Sequence, residues 1–412
     1  MPPTAGLPLR AADWLPGAPG FEEALARFLG VEAVQIACSG TAAFVATLEA
    51  LHRRSPGRDG VIVPAYTCPL MALAVAHCGL RLLPCDLLPA SLDLDPAALE
   101  RLCDGRTLAV VPTHLAGRVT DVPSARRIAH AAGAWVIEDA AQALGATVGG
   151  QTVGLQGDVG FFSLAVGKGL SIFEGGVLVA RRPELHAEIG TRLAAQRGGW
   201  LHDRLWDGRR TLELLAYTAL YRPSTLDWVY GRPLRRALAR RDWIEAAGDD
   251  FDASIPLHPV GRWRRGVGAR ALARLPDFLA ATEAQAQRRL KLLDAIPGLT
   301  LIRDSVQGGT AAGAGAPRGT WPVLLALMPS GAARDALLDA QWGEGSGLAL
   351  PFVHALPDYT RYAPAVPAMA AGEIPRARDL AARLFSISNS PWLDDARFAH
   401  LLTAIRRAIG AG

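Results

Sequence analysis

Ser163–Gly176 reads SLAVGKGLSIFEGG and contains Lys168, one of two lysines among the chain's 43 lysines and arginines; the other is Lys291. A guanidinium stays protonated, whereas an amine can lose its proton and serve as nucleophile and base. A chain that writes almost every cation as arginine therefore keeps an amine here for its chemistry. Asp139 ends the apolar run AWVI, and Ser39, Gly40 and Thr41 (SGT) sit where a helix opens after another apolar run. A nucleophilic amine, a carboxylate and an anion-binding helix start are the minimum equipment for pyridoxal phosphate (PLP). The amine forms the Schiff base, the carboxylate keeps the pyridine nitrogen protonated, and free N–H groups hold the phosphate.

These groups need a scaffold that brings strand ends together. FEEALARFL (21–29) has helical spacing, and AVQIACSGTAAFVATLEAL reads as strand, small-residue turn and helix opening near Thr41. GVIVPAYTC, RLLPCDL, TLAVVPTHL, AWVIEDAAQALGA, DVGFFSL and GGVLVA each hold a short apolar strand, with MALAVAHCG and VPSARRIAHAAG as helices between them. Strands alternating with helices predict an α/β fold with a mostly parallel sheet covered on both faces. Further on, 267–293 reads as one long helix, GGTAAGAGAPRG (308–319) as a flexible loop, TWPVLLAL as a strand, and DDARFAHLLTAIRRAI as a final helix with its charges matched to the helix dipole.

Composition narrows the classes. Half the 412 residues are hydrophobic and the net charge is +4, with basic residues scattered, so no nucleic-acid partner is expected. Five cysteines (Cys38, Cys68, Cys78, Cys85, Cys103) form no C-x-x-C pair, which points away from a zinc site or disulfide framework and toward a reducing, cytoplasmic setting. No run of about 18 apolar residues suggests a membrane span, and no basic-then-apolar leader opens the chain. A nucleotide binder of the G-x-G-x-x-G type is not indicated, because no such motif follows the first strand.

FEEALARFLGV, SGTAA, VPAYT, PTHLAG, IEDAAQALGA and GDVGFFSLAVGKGLSIFEGG occur in this order between about Glu22 and Arg181. That series resembles the DegT/DnrJ/EryC1/StrS aminotransferases. The resemblance implies the fold-type-I PLP architecture: a large PLP-binding domain to about residue 270, then a linking helix and a smaller C-terminal α/β domain over 271–412. It implies that Lys168 is the Schiff-base lysine and proton carrier, that Asp139 pairs with the pyridine nitrogen, and that Gln142 lies near the ring. Ser163 with the backbone at Gly40 and Thr41 would bind phosphate, and His114 would support the pocket on the substrate side. Where family members stack an aromatic residue on the ring, this chain has Cys68, with Tyr66 two residues earlier as a substitute. In place of the family's phosphate-reaching asparagine it has GRWRRGVGAR, with Arg264 or Arg265 as replacements. His354 and Tyr359 are substrate-side candidates, and Glu174 anchors the EGG turn.

The resemblance further implies a homodimer with shared active sites. It implies transfer of an amino group from glutamate or glutamine to a keto group, most often of a nucleotide-linked sugar. A catalytically silent regulatory or scaffold relative is the alternative, as is an aminotransferase for a non-sugar or lipid-linked ketone. The segment 197–260 departs from the family. It is rich in arginine and aromatics, and Trp206, Tyr217, Tyr221, Trp228 and Tyr230 suit either a subunit interface or active-site cover, or a peripheral membrane contact through 205–243.

Overall fold

A short apolar run without alternation suits a strand covered on both faces. GVIVP is one: Gly60–Pro64 is buried at every position in the computed structural model, which describes residues 2–196, 199–305, 315–370 and 372–411. In chain order the strands are β1 (Gln35–Ala37), β2 (Gly60–Pro64), β3 (Arg81–Cys85), β4 (Thr107–Val110), β5 (Trp135–Asp139), β6 (Thr147–Val148), β7 (Gln151–Thr152), β8 (Val159–Ser163), β9 (Gly176–Ala180), β10 (Thr300–Ile302), β11 (Val323–Leu327), β12 (Leu348–Ala349) and β13 (Leu384–Ser388).

The large sheet runs β1-β9-β8-β5-β4-β2-β3. The pairs β2–β3, β2–β4, β4–β5 and β5–β8 are parallel, while β9 is antiparallel to both β8 and β1. Only β9 runs against its companions, so the carboxyl ends of the others share one edge. That edge is where an α/β sheet collects its ligand. A second sheet, β10-β11-β13-β12, is antiparallel throughout and lies with the helices Gly331–Gln341, Pro375–Arg383 and Asp395–Ala411.

Local chemistry sets the helix starts. The Ser39 hydroxyl accepts from the Ala42 N–H at 3.0 Å and caps helix Gly40–Arg54. Asp121 does the same for Val122–Ala131, accepting from Ser124 at 3.1 Å. Helix Phe21–Leu29 stops at Gly30, whose φ of +66° suits glycine. Helix Pro96–Leu102 carries the same kind of signal, an Asp95 cap followed by proline, but is too short to read from periodicity.

The expected long helix over 267–293 is two helices, Arg262–Leu272 and Leu275–Asp294. Pro276 explains the break: it offers no N–H, and its ring crowds the carbonyl four residues back. The 308–319 loop lies outside the described residues up to position 314. In the atypical segment the chain forms a long helix, Trp200–Leu220, then the shorter helices Arg232–Ala239 and Trp243–Ala247. Tyr217 and Tyr221 pack ring to ring at 4.4 Å, and Tyr221 bonds to Thr4 beside Gly167. Trp228 instead stays exposed, with Arg232 stacked on it at 3.4 Å. The aromatic set is therefore not one outward belt: part of it pins residues near the chain's start to the loop that carries Lys168.

Candidate active site

The carboxyl edge of the large sheet opens into a cavity of about 590 Å³. Its lining includes Gly40, Thr41, Cys68, His114, Asp139, Gln142, Ser163 and Lys168, which come from five different strand ends. A volume of this size suits a small-molecule site, typically roughly 300–1,000 Å³.

Asp139 is the last residue of β5 and is buried, with its Oδ1 accepting from the Ala141 N–H at 3.0 Å. Burial pushes its carboxyl pKa up, against the opposing pull of the Ala141 bond, Lys168 and His114. Lys168 stands half-buried after β8. Burial pushes its ammonium pKa down, opposed by Cys68 and Asp139, so the amine sheds its proton more readily than an exposed lysine.

The residues present fit PLP. The Thr67 hydroxyl is wholly buried in the wall of the cavity and lacks a hydrogen-bond partner among the described residues. At Gly40, the first residue of its helix, a Cβ would stand 3.4 Å from the Ser163 Cβ and 3.5 Å from the Phe161 ring, filling the space beside the helix start. Gly176 is needed close by, since a Cβ there would lie 2.3 Å from the Ser39 carbonyl oxygen. Gln142 is oriented by the Ala116 N–H, which donates to its Oε1 at 2.6 Å and leaves the amide NH2 for a ligand.

Other expected site residues are placed differently. Tyr66 does not line the cavity. It lies beyond the end of β2, its hydroxyl donates to the Phe352 carbonyl at 3.0 Å, and its ring meets the Phe352 ring edge-on. Phe352 is the one of the pair that reaches the lining, so the ring-cover role read onto Tyr66 does not hold. Cys68 does line the cavity, and burial pushes its thiol pKa up to about 12, leaving a neutral packing group. His114 is in the wall with both nitrogens engaged: the Thr120 N–H donates to Nδ1 at 3.2 Å, so Nε2–H faces Glu138 at 3.0 Å. Its ring supports the wall and has no nitrogen left for substrate. His354 is not in the lining and packs against Tyr359 instead. Arg264 is wholly buried, donating to the Glu174 carbonyl at 2.8 Å and to Asp207 at 3.1 Å, and Arg265 pairs with Glu22.

The active-site-cover reading of 197–260 fits the structure, but the particular residues it brings were not named from the sequence. Arg210 and Asp249 both line the cavity. Arg210 meets Glu174 and Glu213 at 2.6 Å each, and His258 meets Glu174 at 3.2 Å. Burial alone would raise the Glu174 carboxyl pKa, but these donors hold it below the usual range. Glu174 therefore anchors the turn after Lys168 to the inserted helix. Asp249 is 2% exposed, and burial pushes its pKa up to about 6 even though Val353 N–H (2.9 Å) and the Tyr359 hydroxyl donate to its Oδ2. A carboxyl with a raised folded pKa binds more protons folded than unfolded between about pH 4 and 6. Its contribution to stability is therefore lost as pH rises through that window. Asp249→Asn keeps the acceptor and removes the charge. We expect the variant to gain up to about 3 kcal/mol on the parent between pH 4 and pH 7.5, read as paired urea melts at the two pH values; parallel curves would refute this.

The mostly parallel sheet, with Lys168 after β8 and Asp139 ending β5, has the fold-type-I architecture. Residues 16–199 match the model of the DegT/DnrJ/EryC1/StrS aminotransferase family. It is 37% identical over 187 residues to GDP-perosamine synthase of Caulobacter vibrioides, covering 45% of this chain and 49% of that protein. It is 35% identical over 228 residues to UDP-N-acetyl-3-dehydro-alpha-D-glucosamine 3-aminotransferase of Acidithiobacillus ferrooxidans, covering 54% and 59%. Matches to these two relatives thus span about half their length. Among solved structures, 3-amino-5-hydroxybenzoic acid synthase superposes with a TM-score of 0.68 at 21% identity, over 95% of this chain and 90% of that one. That likeness extends the fold into the C-terminal part.

Proposed function

We propose that this protein is a PLP-dependent aminotransferase that moves an amino group from glutamate or glutamine to the keto group of a nucleotide-linked sugar. The observation that carries this reading is the convergence of Lys168, Asp139 and the Gly40–Thr41 helix start on one cavity. The names of the relatives, sugar-nucleotide enzymes of the same family, support the acceptor class. When bound, PLP supplies an electron sink. The chain's own residues do the rest. The helix start at Gly40 and Thr41, with the Ser163 hydroxyl, holds the phosphate. Asp139 would serve the pyridine nitrogen as a counter-charge, and the Thr67 hydroxyl and Gln142 amide would offer further polar contacts. Lys168 carries the proton at Nζ, which its lowered pKa suits. The cofactor-binding domain extends to about residue 270, with the smaller domain beyond.

The test is direct. The purified protein is loaded with PLP and treated with borohydride, and its peptides are mapped by mass spectrometry. A pyridoxyl group on the Lys168 peptide and a change in the cofactor absorbance on adding glutamate are expected. A colourless protein without that adduct removes the reading. A protein that binds PLP and ignores both glutamate and glutamine is the silent scaffold relative instead.

We also infer a homodimer. Leu201, Leu205, Leu212 and Leu215 are each more than half exposed, and their spacing of four, seven and three residues puts them on one face of helix Trp200–Leu220. No helix among the described residues is long and apolar enough to cross a membrane. A second copy of the chain covers this stripe in our reading. Leu205→Glu with Leu212→Glu is expected to halve the mass measured by light scattering at micromolar concentration. An unchanged mass, with loss of binding to anionic vesicles, would assign the stripe to a membrane surface.

A further inference from the structure

A second cavity, of about 650 Å³, adjoins the first and shares Val166, Phe173 and Ala247 with it. It is built mainly by the atypical segment, with Leu226 and Leu234 from that segment opposite Trp342 and Leu348. Its polar lining groups are largely engaged within the protein. Glu213 is held by Arg209 at 3.0 Å and Arg210 at 2.6 Å, the Ser388 hydroxyl donates to the Pro3 carbonyl at 2.8 Å, and Thr4 bonds to Tyr221. The exceptions are Trp342 and Tyr217: both are buried, and the indole N–H of one and the hydroxyl of the other have no hydrogen-bond partner among the described residues. The walls thus offer carbon surface and two buried polar groups, which is the make-up of a site for a small, mostly apolar ligand.

We propose that this second cavity binds an apolar substituent of the keto acceptor. The proposal rests on the aminotransferase reading above and narrows its acceptor to a ketone whose body carries an alkyl or aryl group. Continuity supports it. Val166 lies two residues before Lys168, and Phe173 and Ala247 flank Glu174 and Asp249, so a ligand reacting at Lys168 has a direct apolar exit into the chamber. A sugar nucleotide alone would leave most of this surface wet, because its diphosphate finds no lysine or arginine in the lining.

The probes are n-alkyl β-D-glucosides with tails of four to eight carbons, titrated calorimetrically into the PLP-loaded protein. Burial of each added methylene is expected to tighten binding about fourfold until the chamber is full. Ala216→Trp occupies the chamber from an exposed helix position that tolerates bulk, and Leu234→Trp fills it from within. Either is expected to cut the gain to less than twofold per methylene, with circular dichroism and Tm verifying the fold of each. Binding that is independent of tail length overturns the proposal. So does a length effect that both substitutions leave intact, which would send the tail to the exposed leucine stripe. The glutamate-driven absorbance change of the parent protein, measured alongside, reports on the aminotransferase reading separately. Its loss with the length effect retained would sink that reading and keep the chamber as a ligand site.

Discussion

Lys168→Ala is expected to lose borohydride-stable attachment of PLP and to lower glutamate-dependent turnover by about 10⁴-fold or more, because in the proposed function the residue supplies both the covalent anchor and the proton carrier. Lys168→Arg sharpens the result. Arginine keeps the charge and much of the length, yet cannot give up its proton. If the position needs only a cation, the arginine variant recovers activity. If it needs an amine, it is as inactive as the alanine variant, which is the outcome expected here. Burial that pushes the Lys168 pKa down is consistent with the second case. Lys291 is exposed and distant in sequence, so a pyridoxyl adduct there would mark nonspecific labelling.

Asp139→Asn is expected to lower kcat by about 10²–10³-fold with little change in stability. Asparagine retains an oxygen for the Ala141 N–H, so the turn after β5 is preserved. What it removes is a fixed negative charge in a site shielded from water, where such a charge has its largest effect. In the proposed reading the variant keeps the helix start and Lys168 for the cofactor, so its absorbance band should persist while turnover collapses. Single-turnover mixing with glutamate separates the two quantities. A variant with parental kcat would remove Asp139 from the mechanism.

These predictions rest on residues that local patterns made legible. Asp139 ends its strand, Lys168 and the Ser39–Thr41 turn follow theirs, and a strand, a small-residue turn and a helix start are all visible within a dozen residues. The mostly parallel sheet was legible for the same reason. Tyr66 was misplaced because the i, i+2 rule applies within a strand, and the chain has already left β2 at Pro64. His114 stands in the wall, where a supporting role was expected, and its partners Glu138 and Thr120 leave neither ring nitrogen for substrate. Arg210, Asp249 and Phe352 carried no local signal. They arrive from 42, 81 and 184 residues beyond Lys168, and only tertiary packing brings them to the cavity. The break before Pro276 was legible in principle, but the helical spacing on either side outweighed a single proline.

Arg264 sits wholly buried between Asp207 and the Glu174 carbonyl, 57 and 90 residues away along the chain. Closing such long loops is slow, and it comes late when the intervening segments must first collapse. The sheet can therefore assemble while the turn behind Lys168 is still unanchored. On refolding, far-ultraviolet ellipticity should recover before the protein can take up PLP, and the interval between the two events measures the docking of the inserted helix.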